Sequence, residues 1–280
     1  MLRLPAVAGQ FYPGNATELS ALIERYTNHE KSKVKKRARA CLVPHAGYMY
    51  SGAVAGAVFG RIVVPKKVVL LGVRHYPRGE AWAILSEGAW RTPLGDVPID
   101  AALAAKLREE CPLLREDRVA HSSEHSLEVQ LPFLQWLNRE LTFVPVAVGT
   151  LRWEELLSTG EGFARVLRQS ADEVLLDTSS DMNHYEDDGT TKAKDEMAIA
   201  RLLRLDAEGL YDVCRAEKIS MCGLGPAITM MTAMKALGVN SGELICHETS
   251  GDVTGERGRV VGYAGMVFGE TESLREIHRA

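Results

Sequence analysis

Val68-Val69-Leu70-Leu71-Gly72-Val73-Arg74-His75 runs an unbroken apolar stretch straight into a cation and a histidine. A run of this kind, without polar alternation, is the signature of a strand buried on both faces, as in a parallel or mixed sheet covered by helices. Residues 40–43, 141–148 and 174–177 have the same character. Between and beyond them, residues 53–61, 101–110, 126–139, 153–169, 191–203 and 226–237 read as helices, and 242–248 and 260–268 as two closing strands. An opening helix is signalled by Asn15 as N-cap, with Glu18 three residues on and Leu19, Leu22, Ile23 and Tyr26 at helical spacing. Residues 28–39 read as a polar loop, and residues 81–100, punctuated by Pro93, Gly95 and Pro98, as a hairpin-like excursion. The expected fold class is α/β, a central mixed or parallel sheet flanked by helices. With no internal repeat, low-complexity tract or Pro/Gly/Ser linker, residues 1–280 read as a single domain.

Composition narrows the function classes. The 280 residues are 46% hydrophobic and 25% charged, an ordinary globular balance with enough chain for a sizeable core. The net charge of −4 supplies no field toward nucleic acid or anionic lipid. The one basic cluster, residues 31–39, reads as a solvated linker, with a nucleic-acid contact as the alternative. No apolar run approaches the roughly 18 residues of a membrane span. Pro5, Gly9, Gln10 and Pro13 interrupt the region where a secretory signal needs continuous apolar chain, so cytoplasmic residence is the expectation. The five cysteines are odd in number and lack a C-x-x-C pair, which suits a reducing compartment. Cys41, Cys214 and Cys246 read as core.

Three strand candidates end in a histidine: His45 after Leu42-Val43-Pro44, His75 after Gly72-Val73-Arg74, and His184 after Ser179-Ser180-Asp181-Met182-Asn183. In open α/β sheets ligands bind beyond the carboxyl ends of the strands, so these imidazoles are expected to converge there, although each alone reads more readily as a satisfied loop residue than as a ligand. Cys222, in Met221-Cys222-Gly223-Leu224-Gly225-Pro226, precedes a helix that Pro226 can begin. The positive end of that helix is expected to lower the thiol pKa and favour a metal-binding or nucleophilic thiolate; the alternative is a small buried hydrophobe at a tight turn. Glu124 or His125 is a candidate for orienting a ligand imidazole, while Glu124 reads equally as a helix-start residue. Ser250-Gly251-Asp252 reads as a turn. P-loop, G-x-G-x-x-G after a strand, G-x-S-x-G and H-E-x-x-H motifs are absent from the sequence.

Taken together, Pro5 to Pro13 (PAVAGQFYP), Pro44 to Gly52 (PHAGYMYSG), Thr92-Pro93-Leu94-Gly95-Asp96, Glu124 to Pro132 (EHSLEVQLP), Ser179 to Tyr185 (SSDMNHY), Cys222-Gly223 and Ser250-Gly251-Asp252 resemble the Memo-like family, the B component of the AmmeMemoRadiSam gene set. The resemblance implies a fold similar to class III (LigB-type) extradiol dioxygenases, which use non-haem Fe(II). By that likeness His45 and His75 are metal ligands and Cys222 stands as third ligand where the dioxygenases use glutamate. His184 is then the acid/base histidine or an extra ligand, with Asp181 beside it. The chain departs from the family pattern at Arg74 and Tyr76, where serine and a second histidine are usual, and at Met182 and Asn183, where many members have phenylalanine and serine.

A thiolate in place of the carboxylate favours Cu(I) or zinc and tunes any iron, so the implied cofactor is iron (Fe2+) or copper, with zinc also compatible. The leading expectation is a metal-binding, redox-active protein. Its alternatives are an active oxygenase on a small aromatic substrate, with His184 as base, and a binding module for a small-molecule or peptide ligand or a protein partner. The resemblance further implies AMMECR1-like and radical-SAM proteins as partners, while the net charge and the lack of a membrane-length apolar run point to neither nucleic acid nor membrane.

Overall fold

Arg3 is the first residue to show how the chain is tied together: it sits in a short strand, Leu2–Arg3 (β1), that pairs in parallel with a hairpin strand almost ninety residues away. The computed structural model describes residues 1–28, 35–171 and 173–271. After β1 come Ala16–Asn28 (α1), Arg37–Val43 (β2), Tyr48–Arg61 (α2), Lys67–Val73 (β3), Trp82–Ile84 (β4), Ala89–Thr92 (β5), Gly95–Pro98 (β6) and Ala101–Glu110 (α3). Arg115–Glu116 (β7), Val119–Ser122 (α4), a 3-10 turn at Glu128–Gln130, Leu131–Leu137 (α5), Thr142–Val148 (β8) and Trp153–Gln169 (α6) follow. The remainder is Val174–Ser179 (β9), His184–Glu186 (β10), Asp188–Leu203 (α7), Ala207–Ala216 (α8), Leu224–Ala236 (α9), Gly242–Thr249 (β11), Ser250–Thr254 (α10) and Val260–Thr271 (β12).

The described strands form a nine-stranded mixed sheet in the order β10-β12-β2-β9-β3-β8-β4-β7, with β11 alongside β12. Its centre, β2-β9-β3-β8, is parallel, and antiparallel strands extend it on both sides. The apolar runs occupy that centre because helices cover both faces: α3, α6, α7, α8 and α9 on one, α1, α2 and α5 on the other. Since β2, β3 and β9 run the same way, their carboxyl ends open on one edge of the sheet, and the segments after them meet there. β1, β5 and β6 form a separate three-stranded sheet, which absorbs most of the expected excursion.

Boundaries shift where local pattern was misleading. The expected loop over residues 28–39 is shorter, because Arg37-Ala38-Arg39 alternate out, in and out as the start of β2; residues 29–34, and with them part of the basic cluster, lie outside the described residues. The helix expected over residues 126–139 is a 3-10 turn followed by the short α5, which Pro132 starts. Ser250-Gly251-Asp252 opens α10 rather than a turn: the Thr249 and Asp252 side chains reciprocally cap its first N–H groups. Asn15 caps α1 as expected, accepting from the Glu18 N–H at 2.9 Å. Of the cysteines read as core, Cys41 and Cys214 are buried, while Cys246 is half-buried. No helix among the described residues is long and apolar enough to cross a membrane.

Candidate metal centre

His45, His75, Asp181, His184 and Cys222 line one cleft of about 660 Å3 at the carboxyl edge of the sheet, together with His125 and the rings of Phe11, Tyr50, Tyr185 and Tyr263. His45 follows β2, His75 follows β3, Asp181 lies on the turn from β9 into β10, and His184 opens β10. His125 comes from the segment before the 3-10 turn, which closes down on β3: a Cβ on Gly72 would lie 2.6 Å from Leu127, so only glycine lets the two approach.

The imidazoles form the tightest group. The rings of His75 and His125 stack with centroids 4.6 Å apart, and His45 stands edge-on to both at 5.1 and 5.6 Å. One ring nitrogen of each lies within 4.8 Å of those of the other two, a spacing one cation can bridge. Surrounding acceptors fix their protons. His75 Nδ1 faces Glu124 Oε1 at 2.8 Å, and a carboxylate only accepts, so His75 carries its proton on Nδ1. His45 Nδ1 faces Ser179 Oγ at 2.7 Å; that hydroxyl already donates to the Ser126 carbonyl at 2.7 Å, so here too Nδ1 is the donor. In the neutral form each therefore presents Nε2 as its lone-pair nitrogen.

Glu124, read as either an orienting residue or a helix start, is the orienting residue. It is fully buried, and it also accepts from the backbone N–H groups of His75, His125 and Ser126 at 2.6, 2.9 and 2.9 Å. Burial opposes its charge, but these donors, the His75 imidazole first, hold its carboxyl down at about 2. Burial, reinforced by the neighbouring imidazoles, holds His45 and His125 below the ordinary histidine range, in the neutral form a metal requires.

Cys222 lies 3.3 Å from His45 Nε2 and accepts the Asp181 N–H at 3.2 Å. Gly223 makes this approach possible, since a Cβ there would sit 2.4 Å from that of Ser180. The expected thiolate is corrected: burial, and next the Asp181 carboxylate, push the thiol up, outweighing the adjacent helix end. Asp181 accepts the His45 N–H at 2.7 Å, and burial raises its carboxyl.

His184 belongs to the cleft wall rather than to the three-imidazole group. Its Nδ1 donates to the Ser220 carbonyl at 2.9 Å and its N–H to Ser220 Oγ at 2.8 Å. Asn183 anchors Ser220 in turn, accepting from its N–H and hydroxyl, both at 3.1 Å. Tyr185 adopts a left-handed φ of 64° at the register shift between β10 and β12, which turns its ring outward, 64% exposed, under the Arg259 guanidinium.

The N-terminal segment completes the site. Arg3 bonds Glu128 Oε2 at 2.7 Å, the His121 carbonyl at 2.7 Å and the Glu124 carbonyl at 2.8 Å, with its guanidinium 4.1 Å over Trp90. Glu128 also accepts from Ala6 N, Val7 N and Tyr12 Oη. This latch sets Phe11 against His125, centroids 4.9 Å apart. The Thr92-to-Asp96 block, by contrast, is the β5–β6 turn, closed by an exposed Arg91–Asp96 ion pair.

Comparison with known proteins agrees with this architecture. The family model described as "Memo-like protein" matches residues 3–267. A MEMO1 family protein of Methanopyrus kandleri is 39% identical over 280 residues, covering 96% of this chain and 99% of that relative. One from Aquifex aeolicus is 41% identical over 268 residues, covering 95% and 99%. An uncharacterised Escherichia coli K12 protein of known structure superposes with a TM-score of 0.54 at 15% identity, over 82% of this chain and 100% of that one, a likeness of fold alone.

Proposed function

The chain belongs to the Memo-like family, and we propose that its cleft is a redox-active mononuclear metal centre in a dioxygenase-like pocket. One observation carries the reading: three clustered imidazoles bring ring nitrogens within 4.8 Å of one another, two of them with a proton fixed on Nδ1 by buried acceptors. Imidazoles pinned in this way are what a transition-metal site requires, and the donor set fits. His45, His75 and His125 would hold the ion, with Cys222 as a soft ligand on the His45 side. Imidazole with thiol suits iron or copper, and zinc as well. When bound, such an ion supplies one-electron chemistry and polarises a coordinated ligand.

The chain's own groups do the rest. Glu124 keeps the His75 ring oriented, and Asp181 holds the His45 backbone. Ser220 keeps the His184 proton on Nδ1, leaving Nε2 as a proton acceptor beside the cleft. Phe11, Tyr50 and Tyr185 give the cleft an aromatic lining suited to a small oxidisable molecule. Because Cys222 must lose its proton to ligate, metal affinity should rise with pH.

The test is elemental analysis of protein purified without oxygen and without a metal-binding tag. Iron or copper near one per chain, lost in His75→Ala and His125→Ala and weakened in Cys222→Ala, is the expected result. Variants that bind both metals as tightly as wild type, or a wild-type protein that rejects added metal, would overturn the proposal. Oxygen uptake by Fe(II)-loaded protein, abolished in His184→Ala, would support the oxygenase form of the reading.

A further inference from the structure

Cys222 also borders a second, smaller cavity of about 220 Å3, walled by Arg74, Val148, Gly149, Leu224 and Gly225 among others and containing none of the histidines. We propose that this cavity binds a small oxyanion, a carboxylate or a phosphate, on the guanidinium of Arg74.

Arg74 is the one formally charged residue among those lining the cavity. Its backbone N–H completes the sheet by donating to the Val148 carbonyl at 2.9 Å, so the residue is fixed at the end of β3. Its guanidinium makes one hydrogen bond, from Nη1 to the Gly79 carbonyl. Nε is enclosed and has no partner, and Arg74 forms no ion pair among the described residues. A guanidinium offers five donors in a planar fork that matches a carboxylate or phosphate edge. Gly149 covers Nε, so the donor that a ligand in the cavity can meet is Nη2, which is not enclosed and makes no hydrogen bond among the described residues.

The protein makes room for that group. A Cβ on Gly149 would lie 2.4 Å from Arg74 Nε, so the guanidinium rests flat on a glycine that no other residue could replace without moving it. Leu224 and Gly225 open the 13-residue α9, and their two N–H groups have no acceptor within the helix; Pro226, third in that turn, has no N–H. The two N–H groups add donors and a favourable dipole to a cavity already centred on a cation. Val73, Val148 and Leu224 supply apolar walls, which strengthen a charge-assisted bond. His75, the next residue, lines the larger cleft instead, so the end of β3 serves two different ligands from adjacent positions.

The test is calorimetric titration of the full chain with inorganic phosphate and with acetate, using chloride as the ionic-strength control. It is read alongside the side-chain Nε–H resonance of Arg74, identified by its absence in Arg74→Gln. Saturable binding of at least one anion with a shift of that resonance is expected, weakened about tenfold or more in Arg74→Gln. Gly149→Ala keeps the charge but displaces the guanidinium, and should weaken binding comparably with an unchanged circular dichroism spectrum. Equal affinity in Arg74→Gln and wild type, or no response beyond that of chloride for either anion, would overturn the proposal. Metal content is expected to be unchanged in Arg74→Gln, so this result and that for the histidine site stand or fall separately.

Discussion

Glu124 and Asp177 are both fully buried carboxyl groups, one on the segment that closes over the sheet edge, the other in the middle of β9. Glu124 receives one imidazole N–H and three backbone N–H groups and stays ionised, at about 2. Among the described residues Asp177 meets only the Cys41 thiol, at 3.4 Å, its Oδ2 has no partner, and burial pushes it up to about 7. Depth does not separate them; the count of donors does. Where the molecule faces its cleft it spends backbone N–H groups to keep a charge, and inside the sheet, where every backbone group is engaged in the ladder, the carboxyl keeps its proton instead.

The largest break in that contrast comes from Glu124→Ala, which strands an imidazole and three backbone donors. A loss of ~3–5 kcal/mol is expected in urea unfolding, by analogy with breaking a buried pair. Glu124→Gln should be milder in stability yet lower metal affinity by roughly 10–100-fold, the usual cost of losing an orienting partner. The same variant also reports on acid unfolding. Because the folded pKa lies below the ordinary 4.5, the stability Glu124 contributes is present above that pH and lost as pH falls toward about 2.

Asp177 has the opposite sign. Its folded pKa of about 7 exceeds the unfolded 3.8, so its contribution is complete below 3.8 and lost as pH rises through 7. Wild type should therefore lose up to ~4 kcal/mol over that window, at about 1.4 kcal/mol per unit. Asp177→Asn should flatten the profile, measured as the difference in unfolding free energy between the two proteins from pH 4 to 8. A slope that persists in Asp177→Asn would assign it to other groups. Smallest of all, Asn15→Ala removes the cap of α1, remote from both carboxyls. It should cost ~1 kcal/mol with metal content unchanged, which calibrates the other two as site effects.

The parts of this molecule that were readable in its sequence are those with strong local periodicity. α3 and α6 fall where their apolar spacing puts them, and the continuous apolar runs become the parallel centre of the sheet because helices cover both faces. Histidines directly after such strands were legible as a group because parallel strands share one carboxyl edge. His125 was legible only as an orienting neighbour, since its approach to His75 depends on a segment 49 residues further along folding onto Gly72. The Arg3 latch left no sequence signal, as its partners lie up to 125 residues away and are mostly carbonyls. Nor could position before a helix reveal the state of the Cys222 thiol, because the helix end acts locally whereas burial is set by the whole fold. α8 was legible only as a helix face carrying Cys214, without bounds: Leu205 and Lys218, on either side of it, take left-handed backbone angles of 52° and 54°, which no residue type announces.

The contact between Cys222 and His45 spans 177 residues, and the cleft also takes Phe11 from the beginning of the chain. A nascent polypeptide thus carries His45, the first imidazole of the cleft, through most of its synthesis before the sulfur emerges. Pairing across such separations is slow, since the loop must close before any contact rewards it. The apolar strands at the centre of the sheet wait for their last covering elements throughout that interval. Completion of the last third of the chain is in this sense the event that closes the cleft.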